Sequence, residues 1–93
     1  MGKPNAGKLH KEALSAYKRA AGSGNDTISR ELEKALKNFT EQALKEQPYD
    51  AAKQAVKKAI DTLAETGGFK QSMLLAFEAY QNVVFAEVRQ HVR

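Results

Sequence analysis

The chain has 93 residues, enough for one domain around one core but little more, which leaves small room for a deep catalytic cleft. Cysteine is absent, which excludes disulfides and thiolate metal sites, and fifteen cations against eleven anions give a net charge of +4, a balance that favours acidic partners without demanding nucleic acid. No apolar run approaches the ~18 residues of a membrane span and none follows the basic N-terminus, so a cytoplasmic protein with no membrane attachment is expected.

The opening MGKPNAGKL places Gly2, Gly7 and Lys8 at the spacing of a phosphate-binding loop. That chemistry also requires a strand before the loop and a hydroxyl after the lysine to hold magnesium. Only Met1 precedes the motif, and Leu9 stands where Ser or Thr is needed. Residues 1–7 are therefore read as a flexible arm, with Asn5 as a candidate helix cap.

Lys8 to Ala21 has the pattern of a first helix, with Leu9, Ala13, Ala16, Tyr17 and Ala20 on one side and Lys11, Lys18 and Arg19 elsewhere. Four turn-formers, Gly22-Ser23-Gly24-Asn25, end it. Asp26 or Thr27 is expected to cap a second helix running to about Gln47, with Ile28, Leu32, Ala35, Leu36, Phe39 and Ala43 facing inward. Glu33, Lys37, Glu41 and Lys45 alternate in sign one turn apart and read as a solvated face.

Pro48 interrupts that helix, and a third begins beyond it, because proline is tolerated at a helix start but not in its middle. Asp50 serves as its cap or as a first-turn acid facing the dipole. Ala52, Ala55, Val56, Ala59, Ile60 and Leu63 supply its apolar stripe, and Thr66-Gly67-Gly68 ends it, with Gly67 placed for a left-handed turn.

Phe69 to Arg93 forms the longest and most aromatic helix, and two overlapping stripes widen its apolar face. One holds Met73, Phe77, Tyr80, Val84, Val88 and His91; the other holds Leu74, Phe77, Gln81, Phe85, Val88 and Val92. Short connections join all four segments, so the expected fold is all-α: a small four-helix bundle, up-down-up-down, as one domain with a long C-terminal helix. At 1.5 Å per residue the third helix is about 24 Å long, the second about 30 Å and the last about 37 Å. Phe85, Val88 and Val92 are then expected to project beyond most of the bundle. Three covers are open for them: the first helix laid across, a bend of the last helix near Gln81-Asn82, or a partner chain, a second copy included.

Candidates for chemistry are few. His10 and His91 lack a second ligand at helical metal spacing, so His10 is read as a surface residue and His91 as a favourable charge near the helix C-terminus. Asp61 and Glu65 are one turn apart, but Lys57 precedes Asp61 by the same interval, which makes a surface ion row the simpler reading. No serine lies in a nucleophile-elbow context. No catalytic residue, metal or cofactor is expected.

The leading expectation is a non-enzymatic module that binds another protein as a regulator, adaptor or inhibitor. Phe77, Tyr80, Phe85, Val88 and Val92 would be its apolar anchors, and the surrounding lysines would steer an acidic partner. The alternative is nucleic-acid binding through the third helix. There Lys53, Gln54, Lys57 and Lys58 share an outward side and suit phosphate and base-edge contacts.

Overall fold

The structure is a computed structural model that describes residues 6–22, 28–45, 48–67 and 70–91. Four helices account for nearly all of them: α1 (Ala6–Ala21), α2 (Arg30–Leu44), α3 (Asp50–Gly67) and α4 (Lys70–His91), with no strand among the described residues. The fold is a small all-α bundle.

Local chemistry sets the helix ends. At Gly22 the backbone turns left-handed, with φ 84°, and its N–H donates to the Lys18 carbonyl at 3.2 Å, closing α1. A side chain would be strained by that backbone angle. Lys18 and Arg19 lie in the last turn of α1, where cations offset the carbonyl end of the dipole.

The cap of α2 is Ser29, not Asp26 or Thr27, which lie outside the described residues. Its extended backbone lets Oγ accept from the Leu32 N–H at 3.1 Å, and Glu31 and Glu33 put acids in the first turn. The helix ends at Leu44, short of the expected Gln47, where the Lys45 N–H donates to the Glu41 carbonyl at 3.1 Å.

Pro48 stands two residues before α3, and the first turn closes on the Tyr49 carbonyl, which accepts from the Lys53 N–H at 2.8 Å. Asp50 is therefore a first-turn acid. Gly67 is the last helical residue of α3. At the other end of the chain, α1 begins at Ala6, so Ala6 and Gly7 belong to a helix and not to an arm. Asn5, Gly68 and Val92 lie outside the described residues.

Packing is unequal. The largest interface joins α1 to α4, the next α2 to α3, and α2 also touches α4 across the bundle, whereas α1 and α3 do not pack together among the described residues. Tyr49, ahead of α3, lies against Phe85 late in α4, while Asp61 late in α3 reaches Lys70 at the start of α4, so α3 and α4 run antiparallel.

The core gathers Leu9, Ala13 and Tyr17 from α1, Leu32, Leu36 and Phe39 from α2, Val56 and Ile60 from α3, and Met73, Phe77, Tyr80 and Val84 from α4. Phe39 is its aromatic hub. Its ring centroid lies 5.5 Å from Phe77 and 5.8 Å from Phe85, both edge-on, and 5.4 Å from Tyr49. Edge-on pairs of this kind contribute about 0.5–1.5 kcal/mol each beyond area burial.

The overhang of α4 is smaller than helix lengths imply. Phe85 is half-buried between Phe39 and Tyr49, whose ring meets it at 5.5 Å and 90°, and Val88 is half-buried against the same core. Lengths alone miss this because Tyr49 precedes α3 and extends its cover past the end of the helix. The helix α4 itself continues through Gln81 and Asn82 without interruption.

Candidate functional site

Of the anchors expected on α4, Phe77 and Tyr80 face the protein's own interior and offer no surface to a partner. Phe85 and Val88 keep partial exposure, and Val92 lies outside the described residues. Among the described residues, the large apolar side chain exposed on α4 is Leu75, at 57% of its full area, beside half-buried Leu74. Neither stripe of the sequence pattern includes Leu75, so periodicity gave no warning of it.

The candidate residues of α3 divide between two settings. Lys53 and Lys57 are half-buried, while Gln54 and Lys58 are exposed. Lys58 lines a shallow groove between α2 and α3 together with Glu31, Lys34, Asn38 and Thr62. Asp61 pairs with Lys70 at 2.8 Å, both side chains more than half in solvent, so this contact contributes little to stability.

A second groove, between α1 and α2, has a volume of about 800 Å³. Lys8 and Lys11 line it from α1, Lys34 and Lys37 from α2, with Glu33 the one acid among them and Leu14 part of its apolar surface. All five charged side chains belong to exposed residues. Amphipathicity explains the arrangement: each helix turns its apolar stripe inward, and the flanking positions of both stripes carry lysine where the helices meet.

The floor of this groove is His10, and it is the main departure from the sequence reading. Instead of lying on the surface it is buried, at 6% exposure. Its Nδ1 is 2.8 Å from the Tyr80 hydroxyl, which is 2.6 Å from the Thr40 hydroxyl and 3.0 Å from the Leu36 carbonyl. Thr40 Oγ1 is also 3.0 Å from that carbonyl. Three helices thus contribute to one buried polar cluster, and burial makes each of its hydrogen bonds costly to break.

The second ring nitrogen, Nε2, is buried without a hydrogen-bond partner. Glu33 Oε2 stands 3.9 Å away, close enough for electrostatic attraction and too far for a hydrogen bond. Burial holds the imidazole below its usual value; the Glu33 carboxylate pulls it up and Lys37 pushes it down again. Burial also raises the Tyr80 phenol strongly, against a smaller opposing effect of its bond to Thr40. Thr40 and Tyr80 have no exposed area, so a substrate has no route to either hydroxyl.

Among the described residues no group of three or more His, Asp or Glu side chains could hold a metal ion, and no helix is long and apolar enough to cross a membrane. No family model matches the chain, and no curated protein or solved structure matches it either.

Proposed function

We propose that the protein is a non-enzymatic binding module that takes an acidic segment of another protein into the groove between α1 and α2. One observation carries the reading: lysines from two helices converge on a single cleft, four of them to one glutamate. Converging cations raise the local concentration of an acidic partner and its rate of association. Leu14 gives such a segment an apolar contact beside the charges, the mixture that peptide-binding clefts use for orientation. Phe77 and Tyr80 leave the list of anchors, while Phe85, Val88 and Leu75 on α4 could only extend the contact as a separate surface.

The test is titration with a short glutamate-rich peptide. Lys11→Glu, Lys34→Glu and Lys37→Glu together reverse the charge of the groove and should abolish binding while the helical circular-dichroism signal is retained. Equal affinity of the triple variant and the parent protein would reject the groove as the site.

A nucleic-acid reading retains one specific support. Lys34 opens on both grooves, so Lys11, Lys37, Lys34 and Lys58 form a cationic track across α1, α2 and α3. Binding to phosphates along such a track weakens steeply with salt and loses roughly one unit of log–log slope per lysine removed. A gel-shift series with duplex and single-stranded DNA that shows no complex at low salt would eliminate it.

A further inference from the structure

We propose that a carboxylate of the acidic partner takes the place Glu33 holds beside His10 Nε2, and that the His10 ring gains a proton as the partner binds. The inference rests on the groove being the partner site. It names the point of recognition within it and makes that point responsive to pH.

The position of Nε2 comes first. A polar atom buried without a hydrogen-bond partner is uncommon, and here it belongs to a side chain that lines a cationic groove. Glu33 shows which chemical group suits the place, since its carboxylate already stands 3.9 Å off while its side chain is 57% exposed and free to swing outward. A partner carboxylate brought to about 2.8 Å would make the charge-assisted bond that Glu33 only approaches. A phosphoryl dianion is the poorer fit, because Glu33 stands close by and repels the extra charge.

The buried cluster behind the ring comes second, because it accommodates both protonation states without moving a heavy atom. With the ring neutral and its proton on Nε2, toward Glu33, the Tyr80 hydroxyl donates to Nδ1 at 2.8 Å and Thr40 donates to Tyr80 at 2.6 Å. With the ring charged, Nδ1–H donates to the Tyr80 oxygen instead. Tyr80 then turns its own proton to the Leu36 carbonyl at 3.0 Å, and Thr40 still donates to Tyr80. Leu36 is the spare acceptor, so behind the ring neither the Nδ1 proton nor a hydroxyl proton is orphaned in either state. The proton comes from solvent: the neutral tautomer that carries its hydrogen on Nδ1, in exchange with the Nε2–H tautomer and already donating to Tyr80, takes it on the Nε2 lone pair.

The charges around the ring set the direction. Lys8 and Lys11 of α1 and Lys34 and Lys37 of α2 line the groove and oppose a charged ring; Glu33 of α2 favours it. From α4 the Tyr80 phenol reaches the imidazole, and α3 does not pack on α1 among the described residues. A partner carboxylate at Nε2 tips this balance toward the imidazolium. Lysine–carboxylate attraction keeps the same strength across the range where histidine titrates, so dependence of affinity on pH isolates His10.

The experiment uses the full chain and a labelled glutamate-rich peptide, with affinity measured from about pH 8 to about pH 5.5, across the histidine range. Affinity should rise toward the acid end, by up to about tenfold for each unit by which the peptide raises the His10 pKa. Ring-proton NMR of the parent protein reads the same event directly: the His10 midpoint should move up on binding while His91, the other histidine, serves as the control. His10→Asn keeps a donor for Tyr80 and should bind with a flat pH profile. Should that variant fail to fold, the NMR titration of the parent protein decides alone. Binding that is tight and independent of pH, with an unmoved His10 midpoint, overturns the inference and leaves the groove as a site. Absence of peptide binding at every pH overturns the functional reading beneath it.

Discussion

Tyr17 and Tyr80 are both fully buried, yet only the Tyr80 hydroxyl has partners. Burial pushes the Tyr17 phenol up to about 12, because it strips water from the anion. The two positions should therefore respond oppositely to loss of the oxygen. Tyr17→Phe removes an unsatisfied polar atom and should leave stability unchanged or raise it by up to about 1 kcal/mol. Tyr80→Phe strands His10 Nδ1, while the Thr40 hydroxyl keeps the Leu36 carbonyl as its acceptor, and should cost about 1–3 kcal/mol. Urea unfolding of both variants against the parent protein checks the contrast. The sequence contains a signal for the buried histidine that composition alone hides. His10 lies three and seven residues before Ala13 and Tyr17, so it continues the same stripe that carries on to Ala21. Its polarity argued for solvent; its position argued for the core, and a tyrosine seventy residues away settled the matter. Thr40 is a parallel case, one turn after Leu36 on the inward face of α2. Partners so distant in sequence leave no local pattern.

Among the elements, α2 has the clearest local logic at its start and α4 the least at its end. The Ser29 cap predicts that Ser29→Ala destabilises by about 1 kcal/mol, recovered in part by Ser29→Asp, as thermal unfolding would measure. The existence and approximate bounds of all four helices follow from spacing and turn residues. Their ends move by a few residues wherever a carbonyl or hydroxyl outside the pattern completes the turn, as Tyr49 does for α3. The apolar face of α4 was also readable, but its cover was not. Whether Phe85 projects depends on a ring in the α2–α3 connection, and helix lengths carry no information about that. Phe85→Asp should accordingly lower the unfolding midpoint in denaturant, because it places a charge against Phe39 and Tyr49. Leu75→Asp, on exposed surface, should change stability by less than about 0.5 kcal/mol.

For the molecule as a whole, the buried imidazole links folding to pH. The unfolded ring takes up a proton near the usual 6.5, whereas the folded ring resists until the pH is lower. Between those two points the unfolded chain binds more protons, so stability falls as pH drops below 6.5 and levels off once the folded ring is charged as well. Above 6.5 this contribution is complete. Chemical denaturation at a series of pH values should show the decline in the parent protein and its loss in His10→Asn. The groove belongs to this scale too. Single residues of it were visible as basic positions on two separate helices, but their convergence on one cleft is a property of how α1 docks.

That docking has a dynamic consequence. Because α1 rests chiefly on α4 and shares nothing with α3 among the described residues, while α2 and α3 form the next closest pair, the bundle should open as two units, one made of the first and last helices and the other of the consecutive middle pair. Amide hydrogens of the first and last helices should exchange with deuterium at matched rates, as one body, and those of the middle pair as another. The polar cluster around Tyr80 spans that seam, so its loss should separate the two rates further.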